Sequence, residues 1–504
     1  MKLDLTPFND PTLDAAFLEH LVREEAPARA SHLARLWAYY RNDLSPLGAG
    51  LAFAERREDW LASAKPYYQA QEFGLPARIT GRSHLGFGGA GVPQPAVTRK
   101  EVVIENDIAW RIDTAVHFLG GRPVGIESLA RRPEAARRIE AALNAIWEAS
   151  GGVSLLEEIA LLGAVYGFVD LVIRTHPADA QKPHDAEAAR TVSVEAVEAP
   201  RILPILDESD YRRLRYWVQV FDRQANRLGG GGPLARLLGR TGHRPATVEV
   251  VEIVGPTWWQ RYEDGHLADE GANPLGRLPV VHVQNLANPM HYEGASEVEP
   301  LIPLQDELNT RLSDRANRVT FQSFKMYLGK GVETFEDRPV APGRMWSTFN
   351  PEASIQEFGG DADSPSESAH IAELREAMDK TSGMTPLAAG LLRDRIGNLT
   401  SAAALNVVLM GTLTRLARKR VTYGAGLVEA NRLILDALNR AGALETDPED
   451  RATRLHWPDP LPRNAAEDLE QARLKRELGV PAETVLRELG YEPNAGQRPK
   501  TGGA

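Results

Sequence analysis

The sequence predicts an α+β fold from three features. Apolar residues recur three and four apart near the N-terminus and again from Gly294 onward, the spacing of helices with one buried face. Between Ala164 and Val283 the pattern changes to short β-branched and aromatic segments, the signature of strands. A single strand-like segment, Ala452 to Pro458, follows the longest helical stretch. Hydrophobic residues make up 43% of the 504 and charged residues 25%, which excludes wholesale disorder, collagen and a coiled-coil rod. The length allows roughly three units at ~150 residues each. With no cysteine, a disulfide framework, a thiolate nucleophile and a Cys-ligated metal are excluded, and synthesis in a reducing cytoplasm is expected. The formal charge of −11 repels nucleic acid from the surface as a whole, so any DNA contact must be local. The start, MKLDLTPFNDPTLD, is polar and acidic, and no run of ~18 apolar residues follows; neither an export signal nor a membrane span is expected.

In order, Asp14 to Glu25 and Ser31 to Asn42 read as two helices, with Phe17, Leu21, Leu33, Leu36, Trp37 and Tyr40 on their apolar sides. Gly86 to Gly91 satisfies G-x-G-x-x-G, yet Pro93 and Pro95 follow where a dinucleotide-binding motif needs a helix, so this is a loop. Val102 to Leu119 reads as an amphipathic helix and Ser128 to Ala149 as a charged one. Strands are expected at Val165 to Arg174, Thr191 to Val197, Leu214 to Asp222, Ala246 to Val254, Trp258 to Tyr262 and within Asn273 to Val283, with Gly229 to Gly232 as a turn.

From Ser296, a capping residue, a helix is expected to run to about Phe324, with Glu297 and Glu299 placed where the helix dipole favours them. Its apolar stripe is Leu301, Leu304, Leu308, Leu312, Ala316 and Val319. Steps of four, three, four and three put Arg311, Arg315, Arg318, Gln322 and Lys325 on another face, with Asp314 positioned to neutralise Arg318. Lys325 to Pro365 is too short to hold a core alone and reads as a small tip between this helix and a returning one, Ser366 to Met384, whose buried side is Ile371, Leu374 and Met378. Thr385 to Leu399 is a loop containing Arg393 and Arg395. Thr400 then caps the longest helix, Ser401 to about Arg440, with Gly411, Gly424 and Gly426 as expected bending points. A helix from Ala465 to Leu478, a shorter one to Tyr491 and a disordered tail complete the chain.

Catalytic machinery is hard to find. The phosphate loop G-x-x-x-x-G-K-S/T, H-E-x-x-H and G-x-S-x-G are all absent. His282, His291 and Glu293 form the one tight histidine and acid group, better read as ordinary loop residues than as a metal site. No catalytic residue, metal or cofactor is therefore assigned.

The order of parts carries more information than any motif. Tyr39 to Asp43, Asn106 to Val124 ending in Gly121-Arg-Pro-Val124, Leu278 to Val281 leading into Gly294 to Val298, and Leu304 to Asn317 together resemble the phage portal protein family, in its long-tailed siphovirus branch. The resemblance implies a wing (1–294, resumed at 401–464 by the long helix and the returning strand), stem helices (295–324 and 366–384) and a clip (325–365). It further implies a tunnel loop (385–400) and a crown with its tail (465–504). Portal proteins are not enzymes; they form rings of about twelve identical subunits at one capsid vertex, through which double-stranded DNA is packaged and ejected. The expected partners are other copies, DNA, the large terminase subunit, a head-completion adaptor, and the major capsid and scaffold proteins. The chain is expected to be made in the host bacterial cytoplasm and to end in the virion. A channel that passes any sequence needs phosphate contacts without base readers, which makes Arg311, Arg315, Arg318, Lys325, Arg393 and Arg395 the DNA candidates. Met345, Trp346 and Phe349 are the candidate anchors for terminase or adaptor. Two other readings are a cytoplasmic metal-dependent hydrolase or nuclease and a minor capsid protein without a channel.

Overall fold

Every strand pairing among the described residues is antiparallel, which places the fold in the α+β class and not among the parallel α/β sheets. The computed structural model describes residues 3–46, 67–80, 100–175, 192–228, 245–323, 326–330, 351–352, 354–358, 365–390, 407–460, 465–482 and 485.

Asp14 caps α1 (Ala15–His20) by accepting from the Ala16 N–H at 2.9 Å. The two expected N-terminal helices are one continuous rod: a π turn, Leu21–Glu25, joins α1 to α2 (Ala26–Arg41). Pro27 lies inside this rod and supplies no N–H to the turn before it, and the π turn falls immediately ahead of it, where the ladder must adjust. Short strands β1 (Leu44–Pro46) and β2 (Tyr67–Gln69) pair next, and a small helix α3 (Ala77–Thr80) follows.

The expected helix over Val102 to Leu119 is only half helix. Residues 100–106 form neither helix nor strand, 107–108 turn, and α4 spans Ala109–Gly120, with the Asn106 side chain accepting from the Ala109 N–H. β3 (Gly125–Ser128) likewise takes the start of the expected charged helix, so that α5 begins at Pro133 and ends at Ala149. α6 (Val153–Tyr166) leads through Gly167, at φ 94°, into β4 (Phe168–Thr175). β4 is the buried centre of a three-stranded sheet, between β5 (Val192–Val197) and β11 (Val280–Gln284). A second, five-stranded sheet runs in the order β10-β9-β8-β7-β6. Its strands are β6 (Ile202–Asp207), β7 (Asp210–Leu228), β8 (Pro245–Val254), β9 (Trp258–Glu263) and β10 (His266–Ala272).

The C-terminal half carries α7 (Ile302–Ser323), a β12 (Met326–Lys330) and β13 (Ser354–Phe358) pair, α8 (Pro365–Ser382), α9 (Met410–Arg440), β14 (Thr453–His456) and α10 (Ala465–Glu477). A separate 3-10 turn, Glu299–Leu301, precedes α7, and Ser296 serves it by accepting from the Val298 and Glu299 N–H groups. α9 runs unbroken through Gly411, Gly424 and Gly426. At Gly426 the requirement is room, since a Cβ would meet Val283 of β11 at 2.4 Å. The isolated strand β14 returns to pair with β3.

Two cores result. Leu433, Ile434 and Leu438 of α9, Ile159 and Val165 of α6, Ile112 of α4, Ile146 of α5 and Leu171 of β4 form the main one. The smaller lies where Phe8, Leu18, Leu21 and Val22 cover Val218, Ile253 and Tyr262 of the five-stranded sheet. No single helix among the described residues is long and apolar enough to cross a membrane.

Candidate nucleic-acid interface

The cationic stripe sits on α7, and α7 is held in place largely by polar groups. Gln305, Asn309, Ser313 and Asn317 occur every fourth residue and so share one face. Their side-chain oxygens accept, in order, from the backbone N–H groups of Asp107, Glu105, Val103 and Glu101 at 3.0–3.1 Å. Four helical residues rise about 6 Å, nearly the advance of two residues of extended chain, so α7 reads residues 101–107 as a neighbouring strand would. Three of the four also donate back: Asn317 to the Glu101 carbonyl, Ser313 to Val103 and Gln305 to Glu105. Gln305, Asn309 and Ser313 are fully buried, with Asn309 donating to Gln71, and Tyr39 donates to Asp306 at 2.7 Å. This strap was not legible in advance; the only trace of it was the four-residue recurrence of amide and hydroxyl side chains.

The apolar stripe fades along the helix. Leu301, Leu308 and Leu312 are buried, whereas Val319 is 53% exposed. On α8, Ile371, Leu374 and Met378 are buried as expected. The strap and α8 meet through Arg375 and Glu105 at 2.6 Å and through Arg111, which bonds both Asp107 and Asp379.

Of the three described cations on the stripe, Arg311 and Arg318 are already neutralised. Arg311 is paired with Glu307 at 2.6 Å, one turn back, and lies 3.8 Å from Asp314. Asp314 does not neutralise Arg318, because Arg78 of α3 holds it with two hydrogen bonds. Arg318 crosses to Glu367 of α8. Arg315 has no carboxylate partner among the described residues. Lys325, Arg393, Arg395, Met345, Trp346 and Phe349 lie outside the described residues, as does Gly86 to Gly91.

A second charged centre lies where the chain enters the hairpin. Glu297, placed by its sequence position at a helix dipole, is buried and instead faces α9: Lys419 Nζ at 2.9 Å and Arg415 Nε at 2.7 Å. Burial alone would raise this carboxyl, but Lys419 and Arg415 hold it below the usual carboxylate value. Arg415 also donates to the Thr381 carbonyl, tying α9 to the end of α8. The four-residue step from Arg415 to Lys419, which puts both cations on one side of α9, was the available signal. His282 and Glu293 do not converge on a metal: His282 bonds Asp170 at 2.7 Å and the Tyr292 carbonyl at 2.8 Å, while Glu293 pairs with Arg29. Among the described residues, the geometry therefore offers a cross-braced helical hairpin in which Arg315 is the stripe cation without a carboxylate partner.

Two solved structures show loose likeness. One, from the virion of a native gene transfer agent particle, shares 12% identity over 76% of this chain and 94% of that one, with a TM-score of 0.38. Another, from the neck of an empty gene transfer agent particle, shares 13% over 76% and 89%, with a TM-score of 0.41. No curated protein matches the sequence. The family described as "Phage portal protein, SPP1 Gp6-like" matches residues 112–494, which takes in α4, both sheets, the hairpin, α9 and α10, and the chain accordingly belongs to that portal protein family.

Proposed function

We propose that copies of this chain assemble into a ring of about twelve at one vertex of a phage-type capsid and form the channel for double-stranded DNA. The family match over residues 112–494 carries this reading. In it, 1–294 and 401–464 form the wing, 295–324 and 366–384 the stem, 325–365 the clip, 385–400 the tunnel loop and 465–504 the crown. The clip, with Met345, Trp346 and Phe349, docks terminase and later the head-completion adaptor.

Among the described stem cations, Arg315 is the one left for phosphate. Arg311 and Arg318 are committed to Glu307 and Glu367, so their fields are largely cancelled at the helix surface. Rotational symmetry repeats Arg315 in every subunit, which gives a localised cationic belt within an acidic protein. A belt of single arginines attracts backbone without reading bases and lets DNA slide. Lys325, Arg393 and Arg395 extend the same role to the clip side and the tunnel loop.

The decisive experiment is the native mass of the purified protein by light scattering, with negative-stain images. A ring with a central hole is expected. Particles of one or two subunits at every protein and salt concentration, with scaffold protein present or absent, would overturn the reading, and metal-dependent hydrolysis would then be assayed.

A further inference from the structure

The N-terminal half of α9 exposes a face that a solvated helix has no reason to carry. Met410, Thr414, Ala417, Val421 and Ala425 are all exposed, at steps of four, three, four and four, and Val407 continues the line in the turn before the helix. Val421 is 71% exposed, Val407 66% and Met410 59%. The opposite side of the same stretch, Thr412, Leu416, Lys419 and Tyr423, is packed into the body. Steps of three and four along one line are the seam of a helix that packs against another helix. Valine is a poor choice for an exposed helical position, where alanine, glutamate or lysine form helix better, so Val421 gains only if something covers it.

We infer that this seam receives α8 of a second copy of the chain. α8 has an exposed face of matching character: Ala369 and Ala372 are small enough to admit bulky neighbours, and Glu373 and Glu376 flank them. The described partners of those two acids are His370 and Lys380 of α8 itself. Beside the seam, Arg418 is exposed and has no carboxylate partner among the described residues. Large apolar residues with a free cation on α9 thus meet small residues with acids on α8, a complementarity of both shape and charge. The two faces are different surfaces of one subunit, so their contact is head to tail and propagates around a closed ring instead of stopping at a dimer. The inference rests on the ring reading and specifies which helices form the joint.

The sequence contains no cysteine, so introduced pairs report without interference. Under mild oxidation, Val421→Cys combined with Ala372→Cys should give a ladder of covalent multimers, while neither single variant does. Val421→Asp should keep the far-UV circular dichroism of the parent but weaken subunit association at least about thirtyfold, seen as loss of rings by light scattering. Arg418→Glu should weaken it less, and adding Glu373→Arg should restore it. A covalent dimer from Val421→Cys alone would mean that the seam packs on itself and would overturn the pairing with α8. Rings that form normally with Val421→Asp, together with no ladder from the double variant, would mean that this chain or another particle protein covers the seam. That result would defeat the inference and leave the ring intact, whereas a parent protein that never forms rings would defeat both.

Discussion

Leu433, Ile434 and Leu438 on α9 are as deeply buried as Gln305, Asn309 and Ser313 on α7, yet the two sets do opposite work. The α9 residues sit in a continuous apolar core, where packing is non-directional and scales with the area removed from water. Those on α7 are directional: each meets a stated backbone group of residues 103–107, and a shift of one residue along the strap would unpair the whole set. A body built the first way tolerates salt and moderate changes of pH. A hairpin fastened the second way, with Arg375, Arg78 and Arg318 in ion pairs around it, keeps its register but answers to its ionic surroundings. If the hairpin is the stem of a DNA channel, as proposed, fixed register there is the more useful property.

The joint between the two regions should produce the largest effect. Replacing Glu297 by alanine leaves Lys419, 1% exposed, without its carboxylate, and should cost about 3–5 kcal/mol by chemical denaturation. Its pH signature has a definite sign. The folded carboxyl titrates below the usual glutamate value of 4.5, so its contribution is complete above about that pH and is lost as pH falls through the folded value. The stability gap between the parent and Glu297→Gln should therefore close on acidification and stay constant from pH 6 to 8. A gap that widens in acid would show that Glu297 is not the ionised partner. Next in size is Leu438→Ala in the body, at about 2–5 kcal/mol, with all signals melting together.

How much of this was legible follows the same division. The apolar positions of α7 and α8 are visible because helical spacing repeats locally, and the strand block is visible because β-branched residues cluster. The strap was misread as helix because Val102, Val103 and Ile104 run into an amphipathic segment, and their partners lie some two hundred residues away in sequence. Spacing also placed Arg311, Arg315 and Arg318 on one face. It could not tell which of them is free, because Glu367 and Arg78 arrive from other elements. Glu297 was expected in the first turn of a helix, but it precedes the 3-10 turn Glu299–Leu301, and tertiary structure turns it to Lys419 and Arg415 instead.

Within the hairpin, Asn309→Leu should cost about 1–3 kcal/mol, since it strands the Glu105 N–H in a buried site and removes a donor from Gln71. The contrast with Leu438→Ala lies in where the loss appears. Hydrogen exchange should accelerate at residues 101–107 while the amides of α9 keep their protection. Uniform acceleration across both would mean that the strap and the body are one cooperative unit and that the division drawn above does not hold.

The smallest effect on stability should accompany the clearest effect on DNA. Arg318 and Glu367 are partly exposed, so a double-mutant cycle on the pair should give about 0.2–1 kcal/mol, falling further with salt. Glu367→Gln nevertheless releases a cation on the stripe that carries Arg315. If neutralisation by Glu367 is what keeps Arg318 out of play, the assembled variant should bind double-stranded DNA more tightly at low salt, and each newly engaged phosphate should steepen the salt dependence by about one. Arg315→Gln should change the slope in the opposite sense with the hairpin equally stable. Should neither substitution move the slope, the stripe faces away from the polymer, and the cations of the stem serve only to hold its helices together.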